Sequence, residues 1–198
     1  MLGGARSGKS RWACRLAQEL GGARVLFVAT ADACDQEMAE RIRRHRETRP
    51  ASWRTVEVTG PSLADPVARA WNGEPVILLD CISLWVSRFV APPQGPPAQT
   101  RAEALWQEVS RELHAFHLQL ARWRARAVVV SNEVGWGVVP AYPSGRLYRD
   151  LLGWCNQWLA ERASRVWLLV AGIPLPLKGE GSLPGGLPMA GPDLPSAP

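Results

Sequence analysis

Lysine is almost missing from this chain of 198 residues. Of its 23 basic residues two are lysine, Lys9 and Lys178, and the rest are arginine. Cysteine is sparse as well. Cys14, Cys34, Cys81 and Cys155 lie far apart, and none forms a C-x-x-C pair. That spacing speaks against a zinc site or a disulfide framework, so buried reduced thiols are expected. No apolar run approaches the length that crosses a bilayer. The first residues show no cationic segment followed by an apolar stretch, so no secretory signal is visible and the cytoplasm is the expected compartment. Blocks of one charge are lacking too. The net charge of +5 and pI near 9.5 come from arginines spread over the whole chain. A phosphate-rich small ligand accounts for this balance as well as nucleic acid does, and no nucleic-acid partner is expected.

What is present begins at once. Gly3-Gly4-Ala5-Arg6-Ser7-Gly8-Lys9-Ser10 matches the phosphate-binding pattern G-x-x-x-x-G-K-[ST] in full. Gly3 and Gly8 let the backbone wrap closely around phosphates, so that its N–H groups form an anion nest. Lys9 reaches the β- and γ-phosphates as a point charge. In a chain so poor in lysine, its presence there points to a requirement for lysine rather than for any cation. Ser10 offers Mg²⁺ a hydroxyl ligand. The following helix aims the positive end of its dipole at the same phosphates. Its apolar stripe is Ala13, Leu16, Ala17 and Leu20, and Gly21-Gly22 ends it.

The rest alternates strand and helix, the pattern of a parallel α/β sheet at a length that suits one domain. Arg24 to Ala29 reads as a buried strand, closed by Thr30-Ala31-Asp32 at the end where open α/β sheets bind ligands. A polar helix follows from Asp35, its expected N-cap, to about Glu47. Met38, Ile42 and His45 share one stripe, surrounded by Arg41, Arg43, Arg44, Arg46 and Arg49. Two readings of it stand side by side: a solvated basic helix with His45 at the edge of the packed face, or an imidazole held where cations gather a polyphosphate. A neutral imidazole can attack phosphorus.

Trp53 to Val58 alternates like a short strand and carries Glu57, and Pro61 to Asn72 is a helical candidate. Val76-Ile77-Leu78-Leu79-Asp80 is a second buried strand ending in an acid. Asp80 either supplies a carboxylate near Mg²⁺ or caps the next helix. Cys81 to Val90 is helical, Ala91 to Pro97 a linker. Thr100 is the expected N-cap of a long helix to about Arg124, with the stripe Leu105, Val109, Leu113, Phe116, Leu120 and Trp123. His114 and His117 lie beside it without the further ligands a metal needs. Ala127 to Ser131 is a third strand, followed by Asn132-Glu133 and a Gly-punctuated loop to Pro140. A helix from about Ser144 to Ala163 turns Leu147, Leu151, Cys155, Trp158 and Leu159 inward. Val166 to Val170 is the last strand, terminated by Gly172-Ile173-Pro174. Residues 179–198, rich in Gly and Pro, cannot form a packed core and are expected to be a disordered tail behind a domain of residues 1–178.

Taken together the motifs resemble the bifunctional adenosylcobinamide kinase / adenosylcobinamide-phosphate guanylyltransferase family of cobalamin biosynthesis. The resemblance covers roughly residues 2–178. It rests on the segment Gly3 to Ser10, on Arg41-Ile42 leading to His45, and on Arg49-Pro50 and Trp53-Arg54-Thr55. Asp80-Cys81-Ile82, Ser131-Asn132-Glu133-Val134-Gly135 with Gly137 and Val139-Pro140, Arg149-Asp150 and Asn156-Gln157 add to it. The resemblance implies two reactions. The terminal phosphate of ATP or GTP passes to the hydroxyl of the aminopropanol arm of adenosylcobinamide. GMP from GTP then passes to the resulting phosphate, giving adenosylcobinamide-GDP, through a guanylylated histidine at the position of His45. The implied nucleotide contacts are Gly3, Gly4, Ala5, Arg6, Ser7, Gly8, Lys9 and Ser10, then Ala29, Thr30 and Ala31, then Arg46, Glu47, Thr48 and Arg49, with Glu57 and Asp80. Mg²⁺ would sit at Ser10 and Asp80. The implied fold is a P-loop α/β domain of RecA type, often a trimer. No residue is assigned as base of the kinase step beyond Asp80 as a candidate.

One departure stands out. The apolar strand that precedes the P-loop in such folds is here reduced to Met1-Leu2. Losing about five buried residues would cost on the order of 5–10 kcal/mol, comparable to the stability of a domain. The expectation is a translation start further upstream or a compromised protein. Other readings of the chain are a single-activity P-loop kinase or guanylyltransferase, a non-enzymatic GTP-binding regulator, and a basic nucleic-acid module.

Overall fold

A computed structural model describes residues 1–32, 36–47, 49–90 and 98–179. Asp35, Thr48, the linker Ala91 to Pro97 and residues 180–198 lie outside these, so the expected cap, nucleotide contact, linker and tail are not described. In order the elements are β1 (Leu2–Gly3), α1 (Lys9–Gly21), β2 (Val25–Ala29), α2 (Gln36–Glu47), β3 (Arg54–Glu57), α3 (Ala64–Ala70), β4 (Val76–Asp80) and α4 (Ile82–Ser87). They continue with α5 (Ala98–Trp123), β5 (Arg126–Val130), α6 (Pro143–Arg162), β6 (Val166–Val170) and β7 (Ile173–Lys178).

The strands pair as β3-β2-β4-β5 and as β1-β6-β7, all parallel except β7. Backbone hydrogen bonds from Ser131 to the Met1 carbonyl (2.9 Å) and from Glu133 to the Gly3 carbonyl (3.1 Å) join the two sets, with β5 beside β1. The two-residue β1 therefore fills the slot between β5 and β6, the central place expected for it. All parallel strands end on one edge.

The unbroken apolar runs of β2 and β4 follow from burial on both faces. Leu26, Val28, Ile77 and Leu79 face a core built with α3, α4, α5 and α6. Val25, Phe27, Val76 and Leu78 face the opposite core, built on Trp12, Ala13, Leu16 and Ala17 of α1. Each such side chain, fully withdrawn from water, contributes about 1.5–3 kcal/mol. In α5 the expected stripe is the buried one, with Val109, Leu113 and Phe116 at its centre.

The helix expected over Cys81 to Val90 narrows to Ile82–Ser87, and three further expectations change. The helix expected over Pro61 to Asn72 shrinks to Ala64–Ala70. Leu63 and Ala64 instead give their N–H groups to the Glu112 carboxylate (2.8 and 3.3 Å), which caps the helix from α5. Thr100 is not a cap: α5 begins at Ala98, because Ala98 and Gln99 are good helix formers that carry the helix past it. The chain does not end its sheet at Gly172-Ile173-Pro174 but turns back as β7. Pro174 and Pro176, which have no N–H to give, are tolerated because β7 is an edge strand.

Candidate active site

The phosphate loop is set by contacts from elements distant in sequence. Gly3 has φ +151°, and a Cβ on it would lie 2.5 Å from the Leu169 carbonyl oxygen and 2.7 Å from Ser7 Oγ. No side chain fits there. Gly8, at φ +91°, occupies the N-cap of α1. Lys9 is buried, its Nζ donating to the Gly4 carbonyl (2.5 Å) and to Ser7 Oγ (3.4 Å), so the ammonium is held inside the loop. From the other side, Gly172 donates its N–H to the Ser7 carbonyl (3.1 Å) and Trp12 Nε1 donates to the Gly172 carbonyl (2.9 Å). The β6–β7 turn thus braces the loop. Gly4, Ala5 and Arg6 at the tip remain exposed.

Next to the loop runs a row of strand ends in register. Glu57 pairs with Ala29, Ala29 with Asp80, and Asp80 with Val130. Thr30 is buried, its hydroxyl donating to the Cys81 carbonyl (2.7 Å) and accepting the Cys81 N–H (2.8 Å). Its side chain therefore ties β2 to β4. Arg88 takes the Thr30 carbonyl (2.6 Å) and the Asp32 carboxylate (2.8 Å), and Ala31 lies between these two anchored residues.

Asp80 lies toward α1. Burial first, and then the Asp80 carboxylate, push the Cys14 thiol up to about 11, with Arg49 opposing. Cys14 follows Ser10 by one helical turn, so the two share a face. Burial and Asp80 also push the Cys81 thiol up, against the Ser83 hydroxyl, the Leu84 N–H and Lys9. Asp80, Lys9 and Arg49 thus act on the same pair of thiols, with Ser10 on the helix face that carries Cys14. The donor set of Ser10 and Asp80 is hard oxygen beside a cradle for anions, which suits Mg²⁺. Among the described residues no group of three or more His, Cys, Asp or Glu is placed to hold a metal ion. His117 sets its ring edge-on to Trp158, centroids 5.9 Å apart.

At the far end of the row, α2 delivers the basic segment. His45 lies in its last turn, and its side chain is outside the described set. Arg46 forms an ion pair with Glu57, and Glu47 pairs with Arg43 on the same helix. Arg49 lies over the ring of Phe27, 3.4 Å from guanidinium carbon to centroid. Burial lowers its pKa, with the charges of Cys14 and Asp80 acting the other way. Arg46, Arg49, Pro50, Ala51, Trp53, Thr55 and Glu57 line an open cleft of about 300 Å³.

No local pattern in the sequence marks the Trp12–Gly172 brace or the position of Glu133, whose backbone is bonded to Gly3. Both depend on strand order, and only the G-x-P run after β6 hinted at a turn there.

The fold and these groups define a P-loop nucleotide-binding α/β protein. The model of the family described as "Cobinamide kinase / cobinamide phosphate guanyltransferase" matches residues 1–177. The chain is 43% identical over 180 residues to the bifunctional adenosylcobalamin biosynthesis protein CobP of Pseudomonas aeruginosa, covering 91% of this chain and 96% of that protein. It is 39% identical to the bifunctional adenosylcobalamin biosynthesis protein CobU of Escherichia coli K12, over 90% and 98%. The chain belongs to the cobinamide kinase / cobinamide phosphate guanyltransferase family, and is a transferase of that family. No helix among the described residues is long and apolar enough to cross a membrane.

Proposed function

We propose that this chain phosphorylates adenosylcobinamide with ATP or GTP and then converts the phosphate to adenosylcobinamide-GDP through guanylylated His45. The observation that carries the reading is Arg49. It stands four residues after His45, and its guanidinium lies over Phe27, which packs against the α1 helix behind the phosphate loop; this joins the histidine segment to the cradle.

In the first reaction the acceptor alcohol oxygen attacks the γ-phosphorus, the bond to the bridging oxygen breaks, and a nucleoside diphosphate leaves. The backbone N–H groups of the loop and Lys9 neutralise the charge that moves onto the leaving oxygens. In the second, a ring nitrogen of His45 attacks the α-phosphorus of GTP and pyrophosphate departs. A phosphate oxygen of the corrinoid then attacks the phosphoramidate and frees His45. Splitting one displacement into two lowers each barrier. Arg46 and Arg49 hold polyphosphate charge, while Glu57 orients Arg46. Residues Ser10 and Asp80 would hold Mg²⁺, which supplies charge neutralisation to the phosphates when bound. Ala29, Thr30, Ala31, Glu47 and Thr48 complete the nucleotide contacts. Residues 1–178 act as one domain with 179–198 as a tail, in a homo-oligomer, a trimer by resemblance, in the cytoplasm.

Intact mass after incubation with Mg²⁺ and GTP tests this on the native chain and on His45→Ala. The expected result is an acid-labile GMP adduct on the native chain alone. A folded, GTP-binding native chain with no adduct overturns the assignment and leaves a kinase or a regulator.

A further inference from the structure

Phosphorylating an alcohol releases its proton, and the reading above gives Asp80, whose charge acts on Cys14 and Arg49, to Mg²⁺ together with Ser10. A second acidic residue is bonded to the loop through its own backbone. β5 runs between β4, which ends in Asp80, and β1, which opens into the phosphate loop. The residues leaving its carboxyl end therefore emerge between the two.

Glu133 is one of them, and it is fixed from three directions. Its N–H donates to the Gly3 carbonyl (3.1 Å), the first residue of the cradle. Its Oε1 accepts the Gly135 N–H (3.0 Å), and a Cβ on Gly135 would lie 3.2 Å from that oxygen. Behind it, Ser131 Oγ donates to buried Asn156 Oδ1 (2.6 Å), and Asn156 Nδ2 donates to the Asn132 carbonyl (3.1 Å). Helix α6 thus braces the strand end, and Glu133 as a residue is half-buried rather than packed away. One of its oxygens is committed to Gly135, and Oε2 has no described partner.

We propose that Glu133 is the general base of the phosphoryl-transfer step. The proton of the acceptor hydroxyl passes to the Glu133 carboxylate as the alcohol oxygen bonds the γ-phosphorus and the bond to the β-phosphate oxygen breaks, and it leaves to solvent after the product departs. The inference rests on the kinase reading above. GMP transfer has no alcohol to deprotonate, since its acceptor is already a phosphate anion, so Glu133 serves one reaction and not the other.

Glu133→Gln separates them. The amide keeps the size and the oxygen that Gly135 bonds, and loses only the capacity to take a proton. With Mg²⁺, ATP and adenosylcobinamide, kcat for phosphorylation is expected to fall about 10²–10⁴-fold, the usual contribution of a general base. The nucleotide KM stays within about threefold, and the fall of kcat toward acidic pH disappears. The GMP adduct, and GMP transfer to separately supplied adenosylcobinamide phosphate, stay within about twofold. Phosphorylation within tenfold of native with an unchanged pH profile overturns the proposal. So does a parallel loss of the GMP adduct, which marks Glu133 as structural. A native chain that forms the adduct but phosphorylates nothing overturns the kinase reading instead.

Discussion

The cradle around Gly3–Ser10 and the helix that carries His45 stand on the same sheet edge and are held by different means. In the cradle, Gly3, Ser7 and Trp12 are bonded to residues more than 100 positions away, and Lys9 is buried. On α2, the described ion pairs are Arg43 with Glu40 and Glu47, and Arg46 with Glu57, and every side chain in them is at least 43% exposed. Pairs of that kind contribute about 0–1 kcal/mol each. The loop is thus held by backbone geometry that no side chain can relax, whereas the described ion pairs of the histidine helix are surface charge.

The sharpest way to break this contrast is Gly3→Ala. Its Cβ meets a backbone carbonyl that cannot move without moving β6. A stability loss of about 2–4 kcal/mol is expected from overpacking and backbone strain. Urea unfolding measures it, and a loss under 1 kcal/mol would show the cradle to be as yielding as α2.

Glu74 gives an intermediate case at the other end of β3. It is buried, and it accepts Arg54 Nη1 (2.6 Å) and the Asn72 N–H (2.6 Å). Burial alone would raise its carboxyl, but the Asn72 N–H, its own N–H and Arg54 together hold it below the ordinary 4.5. A depressed folded-state value means that this stability is present above pH 4.5 and is lost as pH falls through the folded value. Glu74→Gln should cost about 1–3 kcal/mol at pH 7 and less at pH 3. Equal losses at both pH values would sink the assignment.

The smallest effect belongs to Glu57→Gln. Its pair with Arg46 is half exposed on both sides, so stability should change by no more than about 1 kcal/mol. Raising the salt concentration to 1 M should erase the difference between variant and native chain. A loss above 2 kcal/mol would show α2 to be anchored as firmly as the cradle.

Much of this was legible without coordinates. The P-loop spacing, the apolar runs of β2, β4, β5 and β6 and the stripe of α5 are local patterns, and local patterns survive into the fold because each residue answers to its near neighbours. The end of β4 at Asp80 was legible too, from four apolar residues followed by an acid. The cap of α3 was not, because Glu112 supplies it from 48 residues away. Nor was β7, whose prolines look like a terminator until an edge position makes their missing N–H harmless.

The order of residues thus determined the element types, the phosphate-binding loop and the placing of His45 in a basic helix, since those depend on spacing along one segment. Tertiary structure decided that β5 lies between β4 and β1, that the β6–β7 turn braces Ser7, that Arg49 lies over Phe27, and that the backbone of Glu133 is bonded to Gly3. Those facts depend on which strand ends meet at one edge, and that is settled by packing two faces of a sheet at once rather than by any single stretch of chain.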